Sequence, residues 1–450
     1  MSHHTSHTTG PGALFLPEGL HYECVHCGQC CRQNWEVALD PAEVESIRAL
    51  EGGPLRLAGA PDPSGPVSDS PWTPGRPAMR MTAEGTCCML AGDGLCALHK
   101  ALGEAAKPNV CRSFPYRMIQ TPRGTFAGLS FACTAVLAGR GPAVSGQRAQ
   151  VEALGRWTVY RRPIESPPDL DVAMPLSWDQ YFEIEEDLAA LLDTSLGPIG
   201  ERLLMQHLYL HLLARLAREA RRRAGAEAAG PEANREALAT LRRHGGGADG
   251  EPWAMLRRMA RRGEGSALLR RTLLGFIHAM DREHGRRRGR IRTWAGLAGG
   301  YVSFALGRGR LMPEGVSRPI HQAELDWIGL DTARPDVDAL LTRYFAHRLF
   351  RKDLPSSESL QSAIRFQLLH WGLIQWHGAA LAADEGADGI GLEHLAGAIR
   401  AVEKRHVWHG SLDRFLARMP LVRMLLDRLF EQPRFALSMA RAVPAPGDRR

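Results

Sequence analysis

A chain of 450 residues has room for two or three domains, and 44% hydrophobic against 23% charged residues excludes a disordered or low-complexity protein. The formal net charge of +7 rests almost wholly on arginine, since lysine occurs only at positions 100, 107, 352 and 404. Runs such as Arg221-Arg222-Arg223 and Arg286-Arg287-Arg288 read as solvated helix faces. With no aromatic residues interleaved among them, they argue against nucleic acid as a partner.

The first residues, Met1 to Gly12, are polar and lack the basic-then-apolar pattern of a secretory signal, so a cytoplasmic location is expected. Residues 1–15 read as a disordered N-terminus. Residues 16–150 form a cysteine-rich module, in which Trp35-Glu36-Val37-Ala38-Leu39 alternates as a strand does and Pro41 to about Leu50 reads as a helix. A Pro/Gly/Ser-rich stretch, residues 52–77, cannot be helical and is expected to be a long surface loop. Thr121-Pro122-Arg123-Gly124 is flanked by a hairpin pattern.

From residue 151 to 440 the pattern is helical, with 441–450 as a tail. Ser177 and Gln180 make a capping box, followed on one face by Tyr181, Ile184, Leu188 and Leu191. Further stripes occur at Leu204, Leu208 and Leu212, at Val337, Leu340, Leu341 and Tyr344, and at Phe366, Leu369, Leu373 and Trp376. The stretch from Gly225 to Pro252 reads as a flexible connection. The most apolar segment, Ala363 to Ala382, carries Arg365, Gln367, His370, Gln375 and His377, whose burial in lipid would be costly, so it is a core helix and no membrane partner is expected. The expected fold is therefore mostly α: a small irregular α+β cysteine-cluster module followed by a larger all-helical domain.

Eight of the nine cysteines that could carry chemistry are Cys24, Cys27, Cys30, Cys31, Cys87, Cys96, Cys111 and Cys133. In a reducing compartment such a density points to metal rather than to disulfides. A two-residue gap lets two thiolates on one turn grip the same ion or cluster, and three cysteines here share that gap. Adjacent Cys30 and Cys31 point differently from the backbone, so they serve two centres, or one is a bystander.

Cys24-x2-Cys27-x2-Cys30-Cys31 with Trp35, followed by Cys87, Leu95-Cys96, Pro108-Asn109-Val110-Cys111-Arg112-Ser113-Phe114-Pro115 and Leu129-Ser130-Phe131-Ala132-Cys133, resembles the YkgJ-type CxxCxxCC family, described as zinc- or iron-chelating. With its long helical extension the chain resembles the flagellin lysine-N-methylase branch. That resemblance implies an iron–sulfur cluster, or alternatively zinc, with S-adenosylmethionine as methyl donor and a protein substrate such as flagellin. Cys88 stands where the family more often has proline. Eight matching thiols suffice for two four-thiolate sites, or for one cluster with several left for structure or redox chemistry. By the same resemblance Arg112 is a candidate cofactor-site contact, to cluster charge or to an anionic substrate group, with a structural salt bridge as the alternative. His99, three residues after Cys96, is a candidate nitrogen ligand, against the favoured reading of a solvent-facing or core histidine. Glu403-x2-His406 has the spacing of a di-iron half-site but no second copy, and Gly307-Arg308-Gly309 lacks the strand–helix context of a dinucleotide loop.

The competing class is a non-enzymatic protein: structural zinc substituting for a small core, with helices that bind a partner, or a metal storage or delivery protein.

Overall fold

In a computed structural model the described residues are 12–33, 35–50, 65–70, 73–155, 161–224, 231–245, 253–262, 265–284, 290–354, 359–408, 416 and 419–441. The chain divides into two compact units, residues 1–164 and 165–450. The mostly helical character expected from the sequence is what the fold shows.

The N-terminal unit is built on a four-stranded sheet. Its centre is the expected hairpin: β4 (Tyr116–Thr121) and β5 (Gly124–Leu129) pair antiparallel across Pro122-Arg123. Two short strands flank it in parallel, β1 (Leu14–Phe15) on β5 and β6 (Arg161–Pro163) on β4. Order therefore begins before residue 16, where the sequence reading placed the end of a disordered N-terminus. Phe15 stacks on Phe126 at 4.6 Å. A second pairing joins β2 (Val67–Asp69) to β3 (Pro77–Met79) antiparallel. The expected loop over 52–77 thus contains a strand; residues 51–64 lie outside the described residues.

Helix α1 (Pro41–Arg48) starts at Asp40, whose carboxylate accepts the N–H of Glu43 while the Glu43 carboxylate accepts the N–H of Asp40. Trp35 to Leu39 is not a full strand, contrary to its alternation. It makes one bridge, Ala38 to Ala78, because β3 is only three residues long. The remaining elements are α2 (Ala97–Leu102), α3 (Asn109–Ser113), α4 (Thr134–Leu137) and α5 (Arg148–Gly155). Helix α5 crosses the module boundary expected at residue 150.

The second unit is helical throughout most of its length. It contains α6 (Trp178–Ala190), α7 (Ile199–Ala224), α8 (Pro231–Gly245), α9 (Ala254–Arg261), α10 (Ala267–His284), α11 (Arg290–Ala305), a small ribbon of β7 (Arg310–Leu311) and β8 (Ile320–His321), α12 (Gln322–Leu325), α13 (Pro335–Phe350), α14 (Leu360–Asp384), α15 (Leu392–Val402), α16 (Pro420–Phe430) and α17 (Pro433–Ala440). The capping box of Ser177 and Gln180 opens α6 as expected. Helix α14 is the axis, packed by α7, α10, α12, α15 and α17 and buried on nearly every side. A helix with apolar residues all round goes to the interior in water, and the polar groups that α14 takes there, such as Arg365 and His370, have partners in Asp427 and Arg348. Among the described residues no helix is long and apolar enough to cross a membrane.

Two local readings change. Residues 225–252 are not simply a flexible connection, because α8 lies within them and buries Ala233, Ala237, Leu238 and Leu241. Proline at the first helical position and alanine spaced along one face outweigh the flanking glycines. On α7, Leu208 and Leu212 are only half-buried, and the core stripe runs instead through Met205, Tyr209, Leu213 and Ala217. The tail expected from 441 begins one residue later at least, since the Arg441 guanidinium donates to the Arg261 carbonyl at 3.2 Å. Arg286-Arg287-Arg288 lies outside the described residues.

Candidate metal centre

The thiols converge because short elements from four sequence segments are tied together by backbone hydrogen bonds. Tyr22 anchors the first segment: its N–H donates to the Pro142 carbonyl at 3.1 Å, its carbonyl accepts Gln147 Nε2 at 2.9 Å, and its ring meets Tyr116 edge-on at 5.6 Å. Cys30 and Cys31 sit on a 3₁₀ turn, Gln29–Arg32, entered through Gly28 with φ of 65°. A Cβ at Gly28 would stand 2.6 Å from the Gly94 carbonyl oxygen, so only glycine lets this turn lie against the loop that leads to Cys96.

The Cys87 N–H donates to the Cys31 carbonyl at 2.8 Å, which joins the second segment to the first. Cys96 bridges to Leu90 and stands at the N-cap of α2, where burial raises its thiol and the main-chain N–H groups of His99 and Leu98 oppose that rise. Cys111 lies in α3, whose leading N–H, on Asn109, donates to Glu43 Oε1 at 2.6 Å and so docks α3 onto the start of α1. Cys133 stands at the N-cap of α4, where the N–H groups of Val136 and Ala135 likewise oppose the effect of burial.

Burial divides the array. Cys31, Cys87, Cys96 and Cys111 all pack on one apolar cluster with Val37, Leu39, Ile47, Met79, Met89, Leu98 and Val110. Cys87 is buried, Cys31, Cys96, Cys111 and Cys133 are half-buried, and Cys24, Cys27 and Cys30 are exposed. Cys27 Sγ lies 3.1 Å from Thr134 Oγ1, the residue after Cys133. The electrostatics cross between the two sets through Cys30. Cys31 is raised by its hydrogen bond to Cys30, by burial, and by Cys30, Cys87 and Cys111. Cys111 is pushed up by burial and by Cys87, Cys30 and Cys96. Burial lifts Cys133 to about 11, with smaller contributions from Cys30 and Cys27. Cys30 lies between the two sets and is drawn down to about 7, chiefly by the hydrogen bond from Cys31, with burial opposing and the Lys107 ammonium assisting.

Among the described residues no three His, Cys, Asp or Glu side chains stand in an arrangement that would hold a metal ion. The chemistry of the donor set suits a soft metal, which would bind by replacing thiol protons: there are eight thiols, and four of them pack on one apolar cluster.

Comparison with protein-family models, with curated proteins and with solved structures gives no match.

Arg112 is half-buried in α3 beside Cys111, its N–H donating to the Pro108 carbonyl at 2.9 Å. The cation whose field reaches Cys30, Cys96 and Cys111 is Lys107, which sequence reasoning passed over although it is one of four lysines and opens the segment leading to Cys111. Its ammonium pairs with Glu104 at 3.2 Å. His99 meets His26 edge-on at 5.2 Å, half-exposed. Cys88 is fully buried in the same cluster, hydrogen-bonded to Cys87, with its sulfur 3.6 Å from the Pro66 carbonyl.

In the helical unit, Glu403 and His406 fall on a π-helical turn, Glu403–Trp408. Glu403 is occupied by Arg351 and by the Tyr344 hydroxyl at 3.2 Å, so its carboxylate serves a buried ion network rather than a metal. Arg351 also donates to Asp353 at 2.6 and 2.9 Å, and Arg348 joins Asp353 to His370 Nδ1, 2.7 Å away. Gly307 and Gly309 form the turn between α11 and β7.

Proposed function

We propose that the N-terminal unit is a thiolate metal centre and that the chain acts as a protein-lysine N-methyltransferase similar to the flagellin lysine-N-methylases of the YkgJ type. The observation that supports the metal-centre half is the gathering of eight thiols, from four segments spread over residues 24–133, within one unit, with Cys31, Cys87, Cys96 and Cys111 packed on one apolar cluster. Cys24, Cys27, Cys30, Cys31, Cys87, Cys96, Cys111 and Cys133 would supply two four-thiolate sites, or one cluster with several thiols left for structure or redox chemistry. An iron–sulfur cluster there would supply electron transfer and a Lewis-acidic iron. The chain's own part is to fix the thiols with N–H donors, balance their charge with Lys107 and Arg112, and exclude water from the floor of the site.

Methyl transfer rests on the resemblance of the cysteine motifs and on the helical unit, which is large enough to shape a groove for a protein substrate. S-adenosylmethionine is the donor in this reading, and the reducing cytoplasm its compartment. The first experiment is purification without oxygen, with iron, zinc and acid-labile sulfide measured per chain. Iron with matching sulfide supports the cluster, and a chain free of any metal overturns the centre. Labelled S-adenosylmethionine and flagellin then test the transfer, which fails if cluster-replete protein leaves lysine unlabelled.

The apolar cluster beneath four of the thiols favours a second reading: zinc that completes a small core, with the helices binding a partner protein. Zinc without sulfide, and no methyl transfer, selects it.

A further inference from the structure

Helix α11 departs from the pattern of a surface helix, which is apolar on one face and charged on the other. Its inner face is fastened to α10: a Cβ at Gly300 would collide with Ala279, one at Gly275 would collide with the Phe304 ring, and Leu297 and Phe304 are buried. The outer face, read at helical spacing, is Ala295, Ala298, Gly299 and Val302, and all four are exposed. A Cβ at Gly299 would meet nothing within 4 Å, so among the described residues nothing covers this face. No charged residue occurs between Arg292 and Arg308.

Larger apolar side chains continue the surface. Tyr301, Val302 and Leu306 are 48, 51 and 63% exposed. Beyond them, a Cβ at Gly307 would lie 3.4 Å from Arg271 Nη1, the Arg271 guanidinium reaches Asp326 at 3.5 Å, and the next residue, Trp327, is 69% exposed. Leu306 and Trp327 therefore lie on either side of one ion pair. Exposed apolar side chains gathered in this way mark an interaction site, whereas single scattered ones need no explanation.

Charge selects the occupant. Residues 254–310 contain fourteen arginines against three acids, Glu264, Asp281 and Glu283, a net +11 in a chain whose total is +7. Arg308 and Arg310, which follow the apolar face, are exposed, and among the described residues neither is paired with a carboxylate. The acids nearby are taken: Asp326 by Arg271, Glu324 by Arg318 at 2.7 Å and Glu314 by Lys404 at 2.8 Å. A second copy of this chain would set arginine against arginine. An anionic lipid surface would meet the Asp326 carboxylate, 49% exposed beside Trp327, with like charge.

We infer that the outer face of α11 docks an amphipathic helix of a partner protein, one whose apolar stripe runs between acidic residues. The stripe would lie over the small residues Ala295, Ala298 and Gly299, as a helix lies in an apolar groove, and the carboxylates would meet Arg308 and Arg310. The inference goes beyond the thiol centre and needs neither metal nor methyl transfer.

The test uses the full chain and a fluorescein-labelled peptide of about five helical turns, with leucine and alanine along one face and glutamate at both ends, binding being read by fluorescence anisotropy. The peptide should bind, and the same peptide with lysine in place of glutamate should bind more weakly by about tenfold or more. Arg308→Glu together with Arg310→Glu should reverse that preference. Gly299→Leu fills the open face and raises helix propensity, so it should abolish binding and leave the circular dichroism unchanged. Equal binding of the two peptides, or binding of neither, overturns the inference. So does a dimer in sedimentation that Gly299→Leu dissociates, or flotation with phosphatidylglycerol vesicles in place of peptide binding.

Discussion

The N–H of Cys87 donates to the carbonyl oxygen of Cys31 at 2.8 Å, although 55 residues separate them along the chain. This bond sets two thiol-bearing segments side by side by main-chain contact alone. In the proposed metal centre a bound metal would tighten an array that the backbone gathers, and the two units should respond differently to its loss.

Chelation should unfold only the N-terminal unit. Four of its thiols are part of its apolar cluster, whereas the helical unit has its own core around α14. Thermal unfolding followed by circular dichroism should show a transition that shifts with chelator and one that does not. Loss of all helical signal on chelation would contradict the division.

Gly28→Ala should weaken metal binding without touching a thiol. It places a side chain in the left-handed region and 2.6 Å from the Gly94 oxygen, a strain of ~1–3 kcal/mol. Zinc competition titration should read a loss of that size. Gly92→Ala, whose Cβ meets nothing within 4 Å, is the control.

Removing Arg351 should be among the most damaging single changes in the helical unit. It is 1% exposed and joins Glu403, itself fully buried, to Asp353. Arg351→Ala leaves both carboxylates without their shared cation, at a cost of ~3–5 kcal/mol. Urea denaturation measures it; a change under ~1 kcal/mol would mean that the network is not a stabilising unit. Adding Glu403→Gln should recover part of the loss.

Acid should destabilise the helical unit before its carboxylates titrate. Burial is the main cause that lowers His207 to about 3, with Arg365 and His211 adding, and burial likewise holds His370 and His377 well below their ordinary range. The unfolded chain binds protons at these histidines below about pH 6.5 while the fold does not, so stability falls as pH drops through that value. The slope approaches ~1.4 kcal/mol per pH unit for each such histidine. Urea midpoints at pH 7.5 and 5.0 should show it, and His207→Phe should flatten the dependence.

Much of this architecture was readable because its signals are local. Asp40 with Glu43, and Ser177 with Gln180, are caps written within four residues, and the hairpin of β4 and β5 announces itself through Pro122 and Gly124. The strands β1 and β6 carry no such signal. They are two and three residues long, and exist only because parallel partners were brought alongside. Helix α8 was masked by the glycines around it. The site was legible as a set of residues, since cysteine is confined to one module. Which thiols pack on apolar residues was not legible, because the residues of that cluster come from segments far apart in sequence, as Val37, Met79, Leu98 and Val110 do around Cys31, Cys87, Cys96 and Cys111.

The parallel pairing of Arg161–Pro163 with Met118–Gln120 also governs where the molecule can be cut. A fragment ended at residue 150 would keep every cysteine yet leave β4 with a bare row of main-chain donors and acceptors. Such a row is an invitation to pair with a second molecule, so the shorter fragment should aggregate where one carried through Ile164 stays monodisperse.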